Sequence, residues 1–200
     1  MLLKVLKGVS ACQNGNFTYT PGEWTPPVMP VLYQSGYHVT DEAHLLKILF
    51  NCDSVWEAET RGETVCGEEK SAHESIRLVR QVMGRREIWH LRADIAEGKD
   101  GWVLAAFERQ YPGDSRVRDC IATMRRYANG AATVEELRAA RQDAYSAYYA
   151  AAADAAYYAA AADAAADAVA AAADATAIAD AADDEERSWQ QERVSYWLSR

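Results

Sequence analysis

The sequence predicts an α+β protein: a small β-rich N-terminal region followed by an all-α, alanine-rich helical C-terminal region. Turn dipeptides, Gly15-Asn16 and Pro21-Gly22 among them, divide the first part into short runs with strand-like alternation. Helical periodicity begins near residue 85, and no glycine or proline that would end a helix occurs after Gly130. We therefore expect a β-rich domain over residues 1–84 and a helical domain over residues 85–200.

The first domain is expected to contain strands at residues 2–9, 16–20, 53–60 and 75–83. Prolines at positions 26, 27 and 30 should keep the chain extended up to residues 31–33. In the strand at 53–60, the alternation predicts that Val55, Glu57 and Glu59 share one face.

One short helix is expected within the first domain. Thr40 can cap it, and Asp41 and Glu42 in its first turn suit the helix dipole. Its buried face is predicted to consist of Leu45, Leu46, Leu49 and Phe50.

Two helical stretches, at residues 88–95 and 102–109, are predicted to be interrupted at residues 98–101, where glycines occur. Asp114 is expected to cap the following helix, and Asn129-Gly130 to end it in the left-handed conformation. The buried stripe of that helix is predicted at helical spacing, namely Val117, Cys120, Ile121, Met124 and Ala128.

The alanine-rich region begins with Thr133 and Glu136, which have the spacing of a capping box. A helix running unbroken from there to residue 182 would measure about 73 Å. We therefore expect it to fold back or to pair with another chain. The residues at 183–186 can cap a final helix, which Trp189, Tyr196 and Trp197 should dock onto the core.

Charge is distributed unevenly along the chain, whose net charge is −9. Residues 1–141 carry 18 Lys and Arg against 19 Asp and Glu, whereas residues 142–200 carry 3 against 11. This acidity argues against direct nucleic-acid binding, which needs clustered basic residues, and favours a basic protein partner or imitation of a polyanion. No run of large apolar residues reaches the length of a membrane span, so no membrane contact is expected.

The nonamer YYAAAADAA at residues 148–156 is repeated at residues 157–165. Nine residues rotate a helix by about half a turn beyond whole turns, so the two tyrosine pairs would face opposite sides. Alanine can simply let helices approach while aspartate keeps the outer face hydrated; alternatively, the aspartates form an acidic ridge for a partner. The second interpretation gives these candidate partner-binding residues: Asp154, Asp163, Asp167, Asp174, Tyr149 and Tyr158. A homodimer through the alanine-rich helices is a further possibility.

The cysteines and histidines show no spacing typical of a metal site or a disulfide framework. We therefore expect thiols in a reducing cytoplasm, with no metal and no cofactor. The sequence contains no G-x-G-x-x-G motif, no Walker loop, no G-x-S-x-G motif and no H-E-x-x-H motif.

One alternative is enzymatic. Lys7 and Gly8 at the end of the first strand, followed by the Glu57-x-Glu59 pair, have an order similar to that of ADP-ribosyltransferases. In that interpretation one glutamate would stabilise an oxocarbenium-like ribose and the other would orient the nucleophile, so the domain would be an NAD-binding enzyme or its relic. The simpler interpretation is that both glutamates form the solvent face of an amphipathic strand.

Several short motifs occur in a familiar order. They are Leu6-Lys7-Gly8, Tyr19, Gly36-Tyr37-His38, Trp56 to Glu59 with Gly62, and residues 76–80. This pattern resembles an uncharacterised family found in phages and actinobacteria. Residues 112–130 and the Trp189-Gln190 with Arg193 after the alanine-rich region resemble an Imm5-like domain of immunity proteins. The resemblance implies a role in conflict between mobile elements and their hosts.

These observations favour a non-enzymatic phage or mobile-element protein that binds and inhibits, or shields, a protein partner. Its most concrete form is a counter-defence inhibitor of the anti-CRISPR type. The partner would then be a basic bacterial defence effector in the host cytoplasm, and the acidic helical surface would bind it.

Overall fold

The computed structural model describes residues 1–11, 17–49, 52–151 and 184–200. It has an α+β fold with an antiparallel sheet and several helices. The chain forms two compact units: Met1–Arg85 together with Val194–Arg200, and Arg86–Arg193.

The first unit contains an antiparallel sheet and a short helix. Their bounds are β1 Leu3–Lys7, β2 Ser10–Ala11, β3 Tyr37–Thr40, α1 Leu45–Ile48, β4 Ser54–Cys66 and β5 Lys70–Met83. The sheet order is β2-β1-β3-β5-β4, and β1 pairs in addition with β4. That last pairing closes β1, β3, β5 and β4 into a ring, in which Leu6 lies opposite Ser54 and Tyr37 lies opposite His73.

One core cluster of the first unit consists of side chains from the strands of this ring and from the segment before β3. Its buried members are Leu6, Tyr19, Tyr37, Val39, Ala58, Ile76 and Leu78. Phe17 packs edge-on against Tyr19 and Tyr37, with ring centroids 4.8 Å and 5.5 Å apart. Such aromatic packing stabilises a small core beyond the area that it buries.

The predicted helix after β3 is shorter than expected, and Thr40 does not cap it. Thr40 ends β3 opposite Lys70, and its hydroxyl donates to the Glu69 carbonyl at 2.7 Å. The carboxylate of Asp41 instead accepts the His44 N–H at 3.0 Å, one residue before α1 begins. The prediction was wrong here because pairing with β5 outweighs the local capping preference of a threonine. Leu45 and Leu49 are buried as predicted, and Phe50 lies outside the described residues.

Val55 and Ala58 of β4 are both buried although they lie three residues apart, while Glu57 and Glu59 are partly or largely exposed. The two buried residues belong to opposite faces of the strand, because Ala58 joins the core cluster of Leu6 and Val55 does not. The register shifts near these residues place the extra residue on β5, so the alternation of β4 itself continues. This agrees with the predicted common face of Val55, Glu57 and Glu59, of which only Val55 is buried.

The strand predicted at residues 16–20 is reduced to an isolated bridge between Ser10 and Thr18. Asn16 lies outside the described residues. Two backbone hydrogen bonds flank this bridge, from the Ala11 N–H to the Phe17 carbonyl at 3.1 Å and from the Tyr19 N–H to the Val9 carbonyl at 2.8 Å. The aromatic packing of Phe17 and Tyr19 adds to them.

The second unit is helical. Its elements are α2 Arg85–Glu97, which begins at the last residue of the first unit, a 3-10 turn Lys99–Gly101, α3 Trp102–Gln110, α4 Arg116–Ala128, α5 Val134–Ala151 and the first part of α6 Asp184–Leu198. The predicted break between the first two helices is confirmed: Gly98 and Gly101 have φ angles of 80° and 77°. Four of the five predicted stripe positions on α4 are buried, and Ala128 is partly exposed.

Both ends of the α4–α5 connection are capped as predicted. Gly130 has a φ angle of 71°, its N–H donates to the Tyr127 carbonyl, and the Ala131 N–H donates to the Arg126 carbonyl, which is the Schellman arrangement. The Thr133 hydroxyl accepts the Glu136 N–H at 3.1 Å, and the Glu136 carboxylate accepts the Thr133 N–H at 2.7 Å. This reciprocal pair confirms the capping box.

Asp114 acts one residue earlier than a standard cap. Its carboxylate accepts both the Arg116 N–H, at 3.1 Å, and the Arg116 guanidinium, while Ser115 is the N-cap residue. These hydrogen bonds lower the pKa of the Asp114 carboxyl. Asp114 was predicted to cap the helix; Ser115 is the N-cap residue instead, and Asp114 binds the first helical N–H from the position before it.

A buried carboxylate joins three helices of the second unit. The Asp94 side chain on α2 is 7% exposed, and it accepts hydrogen bonds from Arg125 on α4 at 2.8 Å and from Arg193 on α6 at 2.6 Å. Arg125 also contacts Glu97. Because a buried charge is costly unless it is paired and hydrogen-bonded, this cluster constrains the relative positions of the three helices.

The last helix is present as predicted, but two of its three expected contacts differ. Trp197 is buried, whereas Tyr196 is 39% exposed and Trp189 is only partly buried. Val194 and Leu198, four residues apart, provide the remaining buried positions in the first unit. The aromatic spacing identified the helix, but smaller apolar side chains form much of its buried face.

Within the described parts of the chain, no helix is long and apolar enough to cross a membrane. Cys52, Cys66 and Cys120 form no disulfides with one another. Burial raises the pKa of the Cys120 thiol to about 12.

The Asp94 cluster leads to a prediction about stability. Asp94→Asn leaves two guanidinium groups without their shared carboxylate, and should lower the free energy of unfolding by about 3 kcal/mol, the order found on breaking a buried ion pair. Urea denaturation followed by circular dichroism measures the change. Glu108→Gln, which removes the surface pair with Arg118, should cost less than about 1 kcal/mol. Equal losses in the two variants would contradict the role assigned to Asp94.

Candidate interaction site

A loop rich in proline, residues 26–35, lies along β5 in the first unit. We call it the proline loop. The N–H groups of Thr25 and Val28 donate to the carbonyls of Ile76 and Glu74, each at 2.9 Å. Pro26 and Pro27 stand between these two donors and have no N–H to contribute, so the segment pairs with β5 only where it can donate. The Tyr37 hydroxyl also donates to the Pro26 carbonyl, at 3.0 Å.

The far end of the proline loop is closed by local contacts. Val31 and Ser35 form an isolated bridge, and the Ser35 hydroxyl donates to the Met29 carbonyl at 2.7 Å. Gly36 has a φ angle of 84°, and a Cβ atom there would lie 2.9 Å from Pro30 Cα. Glycine is thus needed at position 36 for both its backbone angle and its close approach to the loop.

Tyr33, within the loop, has a backbone conformation that non-glycine residues rarely adopt. Its φ angle is 66°, and its side chain is largely exposed. The Tyr33 N–H donates to Nε2 of His38 at 2.9 Å, and Lys70 Nζ lies 4.4 Å from the centre of the Tyr33 ring. Backbone strain of this kind persists only where surrounding contacts enforce it, and it is concentrated at functional positions.

The proline loop is also packed against the turn of the β4–β5 hairpin. A Cβ atom at Gly67 would lie 2.5 Å from Cδ2 of Leu32, so the leucine side chain occupies the space that any larger residue at position 67 would need. The Gly67 N–H donates to the Lys70 carbonyl at 2.9 Å. The loop and the hairpin turn therefore form one ordered structure.

Four large apolar side chains are exposed on this structure. We call them the apolar patch: Val28, Met29, Tyr33 and Val65, which are 40%, 75%, 65% and 39% exposed. An exposed apolar group on a mobile loop is common, but these side chains project from a backbone held by hydrogen bonds and prolines. Exposed apolar side chains on a preorganised backbone favour binding, because little conformational entropy is lost when a partner docks.

His38 lies behind the apolar patch and is neutral. Burial, together with the nearby Lys4, Lys70 and His73, lowers its pKa from 6.5 to about 4. A neutral ring is required here, because Nε2 accepts the Tyr33 N–H and could not do so if protonated. The Lys4 ammonium donates to the His38 carbonyl at 2.8 Å.

His73 is a second buried imidazole in the same region. Its Nδ1 lies 3.0 Å from the Thr64 hydroxyl and its Nε2 lies 2.8 Å from the Ser71 hydroxyl. Burial lowers its pKa. His73 therefore ties the end of β4 to β5 beneath the patch.

Charged side chains of both signs occupy this end of the hairpin. Glu63 and Glu68 are exposed, and the Glu74 carboxylate accepts the Glu63 N–H at 2.9 Å. Glu69 is paired with Lys47 at 3.0 Å, and Lys4 and Lys70 lie near His38. The acidic excess that suits a basic partner is therefore a property of the chain as a whole, whose net charge is −9.

The residues of the enzymatic alternative are placed apart. Glu57 contacts the Arg80 guanidinium at 2.7 Å, and Glu59 contacts that of Arg77. Glu57 lies opposite Leu3 on β1, so Lys7, four positions further along that strand, is about 13 Å away along the sheet. The structure therefore does not bring Lys7 to the two glutamates.

Most of the candidate residues in the alanine-rich region lie outside the residues that the structure describes. Tyr149 lies within α5, but its side chain is not described. Asp154, Tyr158, Asp163, Asp167 and Asp174 lie outside the described residues.

Sequence reasoning missed the apolar patch. Pro26, Pro27 and Pro30 were interpreted only as keeping the chain extended. The useful signal was that Val28 and Met29 stand between prolines, where a loop is normally polar, and that Gly36 follows closely. The positive φ angle of Tyr33 has no sequence signal, since tyrosine does not favour it.

The neutral His38 leads to a prediction about pH. Its pKa is about 4 in the folded protein and 6.5 when unperturbed, so the unfolded chain binds more protons between these values. The stabilisation is complete above pH 6.5 and is lost as the pH falls towards 4. The melting temperature, measured by circular dichroism, should therefore fall more steeply over this range for the parent than for His38→Gln. Parallel profiles would show that His38 is not held neutral by the fold.

The comparisons with known proteins give no indication of function. No protein family model, no curated protein and no solved structure matches the chain. Among the described residues, no group of three or more His, Cys, Asp or Glu side chains could hold a metal ion.

Proposed function

We propose that this chain is a non-enzymatic interaction protein of a phage or another mobile element, which binds a protein partner and inhibits or shields it. The observation that carries the proposal is the apolar patch, exposed on a backbone that prolines and hydrogen bonds hold in place. Large exposed aromatic and sulfur-containing side chains on a rigid support are the usual anchors of protein interfaces. In this proposal Tyr33 and Met29 enter a pocket on the partner.

The charge of the chain indicates the kind of partner. The net charge of −9 favours a basic surface on the partner. A bacterial defence effector, whose nucleic-acid groove is basic, fits this description, and the protein would then act as an anti-CRISPR-like inhibitor in the host cytoplasm. The resemblance to a phage and actinobacterial family with an Imm5-like region is consistent with that role.

The proposal also includes the predicted all-α, alanine-rich C-terminal region. There Asp154, Asp163, Asp167 and Asp174, with Tyr149 and Tyr158, would form a second, acidic contact surface. Two contact surfaces on one chain would strengthen binding beyond either alone, provided that both engage the same partner.

The glutamate pair supports a binding role over a catalytic one. A glutamate that stabilises a ribose cation must be available to the substrate, whereas Glu57 and Glu59 each contact an arginine of β5. Such pairs of opposite charge between neighbouring strands are typical of a solvated sheet face.

Affinity purification from a bacterial host lysate tests the proposal. The wild-type chain should retain a basic protein, and Tyr33→Ala combined with Met29→Ala should retain at least roughly tenfold less, the loss expected for an interface anchor. Asp163→Asn, Asp167→Asn and Asp174→Asn together should weaken binding less and flatten its dependence on salt.

Two controls separate surface loss from unfolding. Tyr196→Ala and Val79→Ala remove exposed apolar side chains elsewhere and should retain the partner fully. If the patch variant binds as well as these controls, the patch is not the interface. If the wild-type chain retains no protein while it consumes NAD, the enzymatic alternative replaces the proposal.

A further inference from the structure

A pocket opens at one end of the sheet of the first unit. Because β1 and β5 run antiparallel to β4, the end of β1, the beginning of β4 and the end of β5 meet there. The pocket is shallow and largely open to solvent, with a volume of about 500 Å³. The lining residues that matter are Gly8, Asp53, Ser54, Trp56, Gln81 and Arg85. We call it the Trp56 pocket.

The floor of the Trp56 pocket is held by hydrogen bonds. The Asp53 carboxylate accepts the Gly8 N–H, which fixes the turn after β1. The buried Ser54 hydroxyl accepts the Trp56 indole N–H at 3.2 Å and donates to the Gly8 carbonyl. These bonds position both the indole and the Asp53 carboxylate before any ligand arrives.

An acceptor and a donor stand side by side in this pocket. Asp53 Oδ2 lies 3.4 Å from an Arg85 nitrogen, with side-chain exposures of 25% and 61%. This contact uses one N–H of the Arg85 guanidinium and one oxygen of Asp53, so the remaining N–H groups and carboxylate lone pairs can form further hydrogen bonds. Together they carry no net charge.

We propose that the Trp56 pocket binds a guanine base. The indole provides a surface on which a planar base can stack, as in many nucleotide-binding sites. The Asp53 carboxylate can accept hydrogen bonds from N1–H and the N2 amino group of guanine. The adjacent Arg85 guanidinium can donate to O6, the contact that arginine commonly makes with this base.

The paired charges explain why the base, and not a phosphate, is the group recognised. A phosphate or carboxylate that approached Arg85 would also meet the Asp53 carboxylate and be repelled. A neutral ring with donors beside an acceptor satisfies both side chains at once. On its Watson–Crick edge guanine carries two adjacent donor groups, N1–H and the N2 amino group, beside the O6 acceptor. Adenine, cytosine and uracil each carry only one donor group on that edge. This inference is independent of the proposed protein partner.

Isothermal titration calorimetry with uncharged nucleosides tests the inference on the full-length protein. Guanosine should bind, and adenosine, cytidine, uridine and inosine should bind more weakly. Inosine lacks the N2 amino group of guanosine. The ratio of their two dissociation constants therefore measures the second hydrogen bond to Asp53. Arg85→Ala should weaken guanosine binding roughly tenfold, because one good hydrogen-bonded contact to a base contributes about that factor. Trp56→Ala should do the same through lost stacking.

The conservative variant Asp53→Asn keeps an acceptor for the Gly8 N–H but replaces one oxygen with a donor. It should therefore bind guanosine and inosine equally, with the fold intact by circular dichroism. Arg61→Ala and Trp24→Phe are matched controls away from the pocket and should bind guanosine as the parent does. Because Trp56 packs against the core, the exposed Arg85 decides the result if Trp56→Ala unfolds. Absence of guanosine binding, or binding unchanged by Arg85→Ala, would overturn the inference.

Discussion

The first unit depends on the hydrogen-bonding requirements of one strand, β5. Along one edge β5 pairs with β4, and along the other it pairs with β3 from Lys70 to His73. Beyond His73, the proline loop and the residues before it occupy this edge in place of β3. The N–H groups of Val28, Thr25 and Gly22 donate to the carbonyls of Glu74, Ile76 and Leu78. Buried backbone groups must be satisfied, so a segment that cannot form a regular strand still takes the place of one. The prolines are compatible with this role because they fall between the residues that donate.

The same requirement produces the unusual backbone of Tyr33. The chain leaves β5 after Val28 and must return to it at Tyr37, nine residues later, on the same edge. Positive φ angles at Tyr33 and Gly36 accomplish this reversal. Exposure of Met29 and Tyr33 is thus a consequence of how the loop is anchored, and the neutral His38 is part of that anchor.

Features governed by neighbouring residues were predictable from the sequence, and features governed by distant pairing were not. The capping box of Thr133 and Glu136 and the glycine end of α4 follow from local rules and agree with the structure. The role of Thr40 was misjudged, because its pairing with β5 decides it. The apolar patch and the Trp56 pocket each assemble residues that lie far apart in the chain. Asp94, Arg125 and Arg193 form another such group, in which no pair has a helical spacing.

The central claim is that Tyr33 contacts a partner. A photo-reactive benzoylphenylalanine placed at position 33 in the full-length chain, and illuminated in host cells, tests it directly, because such a group links only to atoms within a few ångströms. The account predicts one discrete cross-linked product from position 33, containing a basic host protein, and none from the same group at the exposed position 196. Cross-linking of equal yield at both positions, or none at position 33 while the partner is still retained, would contradict it.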